Sequence, residues 1–172
     1  MVRAGLKLTP KQLAIVCASH AGSTEHLATV SSILAGVGLA ESALKNTPDK
    51  PLGSAERIAW GDKPATSLAG NCSGKHAGML ATCVINNWDT SNYLDMNHPL
   101  QVAIKHEIES ASSSQSENDT FDGCGAPLYA IPISGLARAI TSIVETNDSA
   151  SDSIVNAMSS QPEMIAGVGR LS

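Results

Sequence analysis

The amino-acid sequence predicts a mixed α/β fold of the α+β type in which helices dominate. Helix-start signals followed by apolar residues at helical spacing recur along the chain, whereas a single short segment, residues 128–133, has the composition of a strand. Apolar residues make up 42% of the chain and charged residues 16%, a balance typical of a globular protein with a buried core. Residues 169–172 carry no signal that ends a domain, so we expect residues 1–172 to form a single, helix-rich partial domain.

The first half of the chain begins with two predicted helices. Thr9 followed by a proline is the pattern of an N-cap and a first helical position, which predicts a helix through residue 16. Thr24 is predicted to cap a second helix over residues 25–34. Residues 46–70 contain three prolines and three glycines, and we therefore predict a loop with short turns there.

The second half continues with helices separated by polar or turn-rich segments. An apolar run over residues 79–85 predicts a buried helix that ends at Asn86. The elements predicted after it are a helix from residue 99 to about 110, a surface loop over 110–120, the short strand over 128–133, a helix to about 145 capped by Ser134, and a helix from 151 or 152 to 158.

Composition and charge exclude several classes of function. The net charge is −5, lysine and arginine are scattered singly, and only 3% of the residues are aromatic. A nucleic-acid partner is therefore not expected, because it would require a basic face or stacking platforms. No apolar run approaches the ~20 residues that cross a bilayer, and the N-terminus is too polar for a signal-peptide core. We expect a cytoplasmic protein without a membrane partner.

The segment Asn-Cys-Ser-Gly-Lys-His-Ala-Gly at residues 71–78 concentrates reactive side chains where a loop becomes a helix. Free backbone N–H groups and the helix dipole at such a terminus lower the pKa of a thiol. Cys72 and Lys75 are three residues apart and are therefore able to face one point. From the residues alone, an ordinary capped helix with small residues for close packing is an equally good interpretation.

Two further segments are weaker candidates when each is taken alone. The glycines around Cys124 let the backbone bring its thiol into a tight site, but an ordinary turn beside a buried cysteine explains them as well. Ser19 precedes His20, yet adjacent side chains seldom point at each other, so this is poor evidence for a catalytic pair. The four cysteines form no C-x-x-C pair, and a cytosolic chain favours thiols or metal ligands over disulfides.

Five strings taken together resemble the bacterial L-asparaginase II family of the rhizobial type, in the same order and at roughly the same separations. They are CASHAGSTEH, NCSGKHAGML, NHPLQ, DGCGAP and PEMIAGVGR. The resemblance extends from Gly5 to Arg170 and covers about the central half of a family member. It implies a fold like that of serine β-lactamases, penicillin-binding proteins and glutaminases. It also implies hydrolysis of L-asparagine to L-aspartate and ammonia, by a homodimer with a zinc site.

The resemblance also assigns roles to individual residues. Cys72, Lys75 and Cys124 match the family's zinc ligands. Ser19 matches its second catalytic serine, which relays protons beside the nucleophile. Asp122, His76 and His20 would line the site as substrate-contacting or outer-sphere groups. Two thiolates suit zinc, which prefers sulfur and nitrogen ligands.

One family feature is absent from these residues. The family's nucleophile belongs to a Ser-x-x-Lys motif upstream of CASH, whereas the sole Ser-x-x-Lys string here, Ser42 to Lys45, lies downstream of it. The lysine expected beyond PEMIAGVGR is absent too. We therefore expect the 172 residues to have little or no activity alone. Three alternatives remain open: another small-amide hydrolase such as a glutaminase, a zinc-binding module without catalysis, and a redox protein with a reversible Cys72–Cys124 disulfide.

Overall fold

The computed structural model describes residues 5–146 and 148–170, and within them the chain is helix-rich with one small sheet, which agrees with the predicted mixed α/β class. The elements in chain order are α1 (Pro10–Val16), α2 (Thr24–Gly36), a 3-10 turn (Glu41–Ala43), α3 (Ser54–Trp60), α4 (Ser73–Ile85), α5 (Pro99–Ser112), β1 (Asp119–Phe121), β2 (Pro127–Tyr129), α6 (Ile133–Glu145), α7 (Ser149–Ser160) and α8 (Pro162–Ile165). None of the helices in the described ranges is long and apolar enough to span a membrane.

The first two helices begin with capping boxes. Thr9 caps α1 as predicted. The Thr9 hydroxyl accepts the Gln12 backbone N–H, and the Gln12 side chain accepts the Thr9 backbone N–H. The predicted cap of α2 is wrong by one residue: Ser23, and not Thr24, is the N-cap. Ser23 is preferred because the imidazole of His26 accepts the Ser23 backbone N–H at 3.1 Å and so completes the box.

Helix α1 lies at the centre of the core and packs against α2, α4, α7 and α8. Its last four residues, Leu13–Val16, are all buried. Helix α4 packs against α1 and α2 and has ten buried residues. Five of them, Met79 to Cys83, lie in the apolar run that predicted a buried helix, whereas Ile85 at the end of that run is 39% exposed. Each buried Leu or Ile side chain contributes roughly 1.5–3 kcal/mol, so the packing of these two helices stabilises the core.

Helix α3 corrects the prediction that residues 46–70 form only loop and turns. The Gly53 N–H donates to the Ala21 carbonyl, which fixes the start of α3, and Gly61 ends the helix with a φ of 60°. No residue of α3 is buried. The segment therefore lacks the buried apolar face whose periodicity predicts a helix, and local propensity between two glycines forms it.

The small sheet and the last helices also differ in detail from the prediction. Strand β2 covers only the start of residues 128–133 and pairs antiparallel with β1, which lies at the end of the predicted 110–120 loop. Helix α6 starts one residue before its predicted cap Ser134, because Pro132 occupies the N-cap position. Asp148 caps α7 by accepting two backbone N–H groups, and the short α8 was not predicted.

One face of α6 is apolar but exposed. Its large side chains follow helical spacing and are 36–84% accessible. We call this set the α6 stripe; it consists of Ile133, Leu136, Ile140, Ile143 and Val144. The helix packs its other side against α5 and α7, where Gly135 is buried. The described part of the chain thus leaves an apolar face in contact with solvent.

Candidate functional site

The N-terminus of α4 is held close to α1 and to the segment that follows α1. A Cβ atom on Gly74 would lie 2.4 Å from the carbonyl oxygen of Ile15, so only glycine allows this approach. The His20 backbone N–H donates to the Asn71 carbonyl at 3.1 Å, and the His20 ring is 2.9 Å from the Ser73 hydroxyl. These contacts place the segment containing Ser19 beside the start of α4.

The turn over residues 122–126 supplies the second wall of the site. The Gly125 N–H donates to the Asp122 carbonyl, and Gly125 has a φ of 85°, which glycine adopts without strain. Thr47 then ties another segment to this turn. Its hydroxyl donates to the Gly123 carbonyl at 2.9 Å, and its backbone N–H donates to the Cys124 carbonyl at 3.3 Å.

These two elements bring Cys72 and Cys124 together. Three ligand atoms lie within 4.8 Å of one another: the sulfurs of Cys72 and Cys124 and a carboxylate oxygen of Asp122. The Cys124 sulfur is 3.4 Å from Asp122 Oδ2, and Lys75 Nζ is 3.5 Å from the same oxygen. We call these four residues the sulfur site. The family resemblance assigns three of them, Cys72, Lys75 and Cys124, as zinc ligands and places the fourth, Asp122, among the groups around them.

The sulfur site opens onto a cavity of about 610 Å³. Its lining includes the exposed Ser19, together with Asn46, Thr47, Pro48, Asp49, Gly70, Asn71, Cys72, Asp122, Gly123 and Cys124. His20 and His76 are fully buried behind this wall and are not among its lining residues. The hydroxyl assigned to proton relay therefore shares one cavity with both sulfurs. The size suits a small organic ligand.

Burial and charge set the protonation of the site. Burial raises the pKa of the Cys72 thiol, and the positive charge of Lys75 only partly opposes this effect. Burial also tends to raise the pKa of Asp122, but hydrogen bonds from Cys124 and the Gly123 N–H, together with Lys75, outweigh it and leave the pKa below the usual range. Asp122 is therefore a carboxylate at neutral pH.

Both buried imidazoles next to the cavity are neutral at pH 7. Burial, followed by the charge of Lys75, lowers the pKa of His76 to about 4. Burial, followed by repulsion from His26, lowers the pKa of His20 to about 4 as well. The rings of His20 and His26 have their centroids 5.1 Å apart.

A buried chain of polar groups leads away from Cys124. His76 Nε2 is 3.3 Å from the Cys124 sulfur, and His76 Nδ1 is 2.7 Å from the hydroxyl of Tyr93. That hydroxyl also accepts the backbone N–H of Lys45 at 3.0 Å. Tyr93 lies in a polar loop and carries no sequence signal that marks it as part of a site.

The donor set fits a divalent metal ion. Sulfur atoms on a tetrahedron around zinc, at ~2.3 Å each, lie about 3.8 Å apart, which falls within the 4.8 Å spread of the three donors. Two thiols and a carboxylate favour zinc over calcium or magnesium, which prefer oxygen. Asp122 is thus a third geometrically suitable donor, and Lys75, which the resemblance assigns as a ligand, lies next to it.

The chain's sole Ser-x-x-Lys string lies away from this arrangement. Ser42 belongs to the 3-10 turn and is exposed, and neither Ser42 nor Lys45 lines the cavity. Among the described residues that line the cavity, Ser19 supplies the one serine hydroxyl.

Comparison with known proteins gives a match that covers the whole chain. The family model described as L-asparaginase II matches residues 1–172. No curated protein matches the chain. The family model confirms the resemblance carried by the five sequence strings, and an asparaginase-type hydrolase is the class of function that it supports. With this match over its full length, the chain belongs to the L-asparaginase II family.

Proposed function

We propose that the chain forms the proton-relay and metal-binding part of an enzyme that hydrolyses L-asparagine to L-aspartate and ammonia. The observation that carries this proposal is the shared cavity, in which Ser19 and the two sulfurs meet in a chain of the L-asparaginase II family. Asp49 and Asp122 add carboxylates to the lining. Such groups attract the α-ammonium group of an amino-acid substrate.

In this mechanism, a serine nucleophile attacks the side-chain carboxamide and forms an acyl-enzyme that water then hydrolyses. The Ser19 hydroxyl relays protons between the nucleophile, the leaving ammonia and the incoming water. Ser19 suits this role because it is exposed to the cavity. The Ser42–Lys45 string lies outside the cavity, so we expect the 172 residues alone to lack the nucleophile.

Cys72, Lys75 and Cys124 would hold the zinc ion, with Asp122 as a further donor or as the group that orients one. When bound, zinc supplies a Lewis acid that helps to bind and orient the polar groups of the substrate. Lys75 must bind as a neutral amine, and it therefore has to release both its proton and its ion pair with Asp122. The neutral His76 lies behind Cys124 and faces its sulfur.

Zinc stoichiometry tests the metal part of the proposal. The purified chain should hold about one zinc ion, and Cys124→Ser should lose it, because one of two sulfur ligands is removed. Cys17→Ser is the matched control, since Cys17 lies outside the cavity and its variant should keep the metal. Equal zinc content in wild type and Cys124→Ser would contradict the assignment.

Ammonia release tests the catalytic part. The purified chain should release no ammonia from L-asparagine above background, and release by the chain alone would contradict the missing nucleophile. Where the missing serine nucleophile is supplied and activity is restored, L-glutamine should be a poorer substrate than L-asparagine. A preference for L-glutamine would favour the glutaminase alternative. Zinc binding without asparagine binding would favour a non-catalytic module. A reversible Cys72–Cys124 disulfide in the presence of zinc would favour the redox alternative.

The resemblance also implies three properties of the whole protein that we include in the proposal. They are a serine-β-lactamase-like fold, a homodimer and a cytoplasmic location. The exposed α6 stripe offers an apolar surface of the kind that subunit contacts bury. Sedimentation at several protein concentrations tests the dimer, since a purely monomeric protein at high concentration would contradict it.

A further inference from the structure

We propose that Tyr93 is a positioning residue of the sulfur site: its hydroxyl fixes the tautomer of His76, which in turn donates a hydrogen bond to the Cys124 sulfur. Tyr93 lies in the loop between α4 and α5 and is fully buried. The resemblance assigns it no role. Its place in the site follows from hydrogen-bond geometry alone.

The Tyr93 hydroxyl has two partners in the described part of the chain. It accepts the Lys45 backbone N–H at 3.0 Å, and that group is always a donor. The other partner is His76 Nδ1 at 2.7 Å. A phenol carries one hydrogen, so the hydrogen of Tyr93 is available for His76 Nδ1.

Two neutral arrangements of His76 are then possible. If Tyr93 donates to Nδ1, the imidazole carries its hydrogen on Nε2, which faces the Cys124 sulfur at 3.3 Å. If Nδ1 carries the hydrogen instead, no acceptor for the buried Tyr93 hydrogen remains among the described residues, which is strongly unfavourable. The first arrangement satisfies every group. His76 is itself fully buried, which favours its neutral form.

The consequence falls on the Cys124 sulfur. This sulfur lies 3.4 Å from Asp122 Oδ2 and 3.3 Å from His76 Nε2, so the Nε2–H tautomer supplies it with a hydrogen-bond donor. Groups that hydrogen-bond to metal ligands typically change metal affinity by about 10- to 100-fold. The part of the inference that concerns zinc rests on the proposed function, whereas the tautomer does not.

The tautomer can be observed directly. Long-range nitrogen–proton spectra of the histidine-labelled wild-type chain at pH 7 should show His76 with its hydrogen on Nε2, both without metal and with added zinc. The His76 signals are assigned by their loss in His76→Gln. A hydrogen on Nδ1 in the metal-free wild type would overturn the inference.

Removal of one hydroxyl tests the effect on the sulfur. Tyr93→Phe should raise the zinc dissociation constant by about tenfold or more, and it should lower the fraction of His76 that carries its hydrogen on Nε2 in the metal-free chain. Tyr129→Phe is the matched control: it removes the chain's other phenol hydroxyl, which donates to the Gln101 carbonyl. That variant should change both quantities by less than about twofold.

A double-mutant cycle separates positioning from simple structural support. Because Tyr93 acts through His76, Tyr93→Phe should have almost no further effect on the zinc dissociation constant when His76→Gln is already present. Additive effects would overturn the inference. If Tyr93→Phe does not fold, the wild-type tautomer decides alone. If the chain binds no zinc but His76 carries its hydrogen on Nε2, the metal proposal is refuted and the Tyr93 inference is supported. If the chain binds zinc but His76 carries its hydrogen on Nδ1, the metal proposal is supported and the Tyr93 inference is refuted.

Discussion

Gly74→Ala should destabilise the chain and weaken the sulfur site in one step. The added methyl carbon would lie 2.4 Å from the Ile15 carbonyl oxygen, about 1 Å closer than an ordinary contact of ~3.5 Å. Both nearest atoms belong to the Ile15 backbone, so no side-chain rotation relieves the clash. Overpacking of this kind costs about 3 kcal/mol, and the higher helix propensity of alanine returns about 1 kcal/mol. The expected net loss is about 2 kcal/mol.

Urea unfolding followed by circular dichroism measures this loss, and the melting temperature should fall by about 4–8 °C. Zinc affinity should fall as well, because Cys72 and Lys75 flank Gly74 and move with it. Gly36→Ala is the matched control: no atom lies within 4 Å of its added methyl, so it should be neutral or stabilising by about 0.5 kcal/mol. A Gly74→Ala variant as stable as wild type would show that α1 and α4 do not pack as described.

Three further predictions concern other parts of the chain. Ser23→Ala should cost about 1 kcal/mol in urea unfolding, because α2 loses its N-cap and capping box. Folding lowers the pKa of His20 from 6.5 to about 4, so between these pH values the unfolded chain binds more protons than the folded chain. The free energy of unfolding should therefore be unaffected by His20 above pH 6.5 and should fall by about 3 kcal/mol as the pH drops to 4. This fall should be smaller in His20→Gln. Ile140→Glu on the α6 stripe should change stability by less than about 0.5 kcal/mol and weaken self-association in sedimentation.

Each of these predictions has an outcome that contradicts it. Unchanged stability of Ser23→Ala would mean that the α2 capping box contributes nothing measurable. A pH dependence of unfolding that is identical with and without the His20 imidazole would mean that His20 is not buried as a neutral base. Self-association that is unaffected by Ile140→Glu would place the subunit contact elsewhere.

The helices that form the platform of the site were predictable because their signals are local. Thr9 and the proline after it determine where α1 begins, and the apolar run of α4 ends where Asn86 takes the C-cap. Helix α3 could not be predicted in this way, since none of its residues is buried and its start depends on a contact with Ala21, a residue distant in sequence.

The arrangement of the site was less accessible from sequence. The nearness of Cys72 and Cys124 followed only from the family resemblance, because no rule of spacing brings two such distant residues together. The contacts of Thr47 with the Cys124 turn, and of Tyr93 with His76, depend on how loops pack. Loop packing has no periodicity in sequence, so neither residue stood out.

The two sulfurs come from segments some fifty residues apart, and the Thr47 hydrogen bonds add a third segment to their surroundings. In an unfolded chain nothing holds these segments together, so a divalent ion meets its full set of ligands only after α4 and the turn have docked. An ion that binds only the assembled chain shifts the folding equilibrium towards the native state. In a cell short of zinc, a protein with the proposed site would therefore lose folding stability as well as its chemistry, and it would become an easier target for proteolysis.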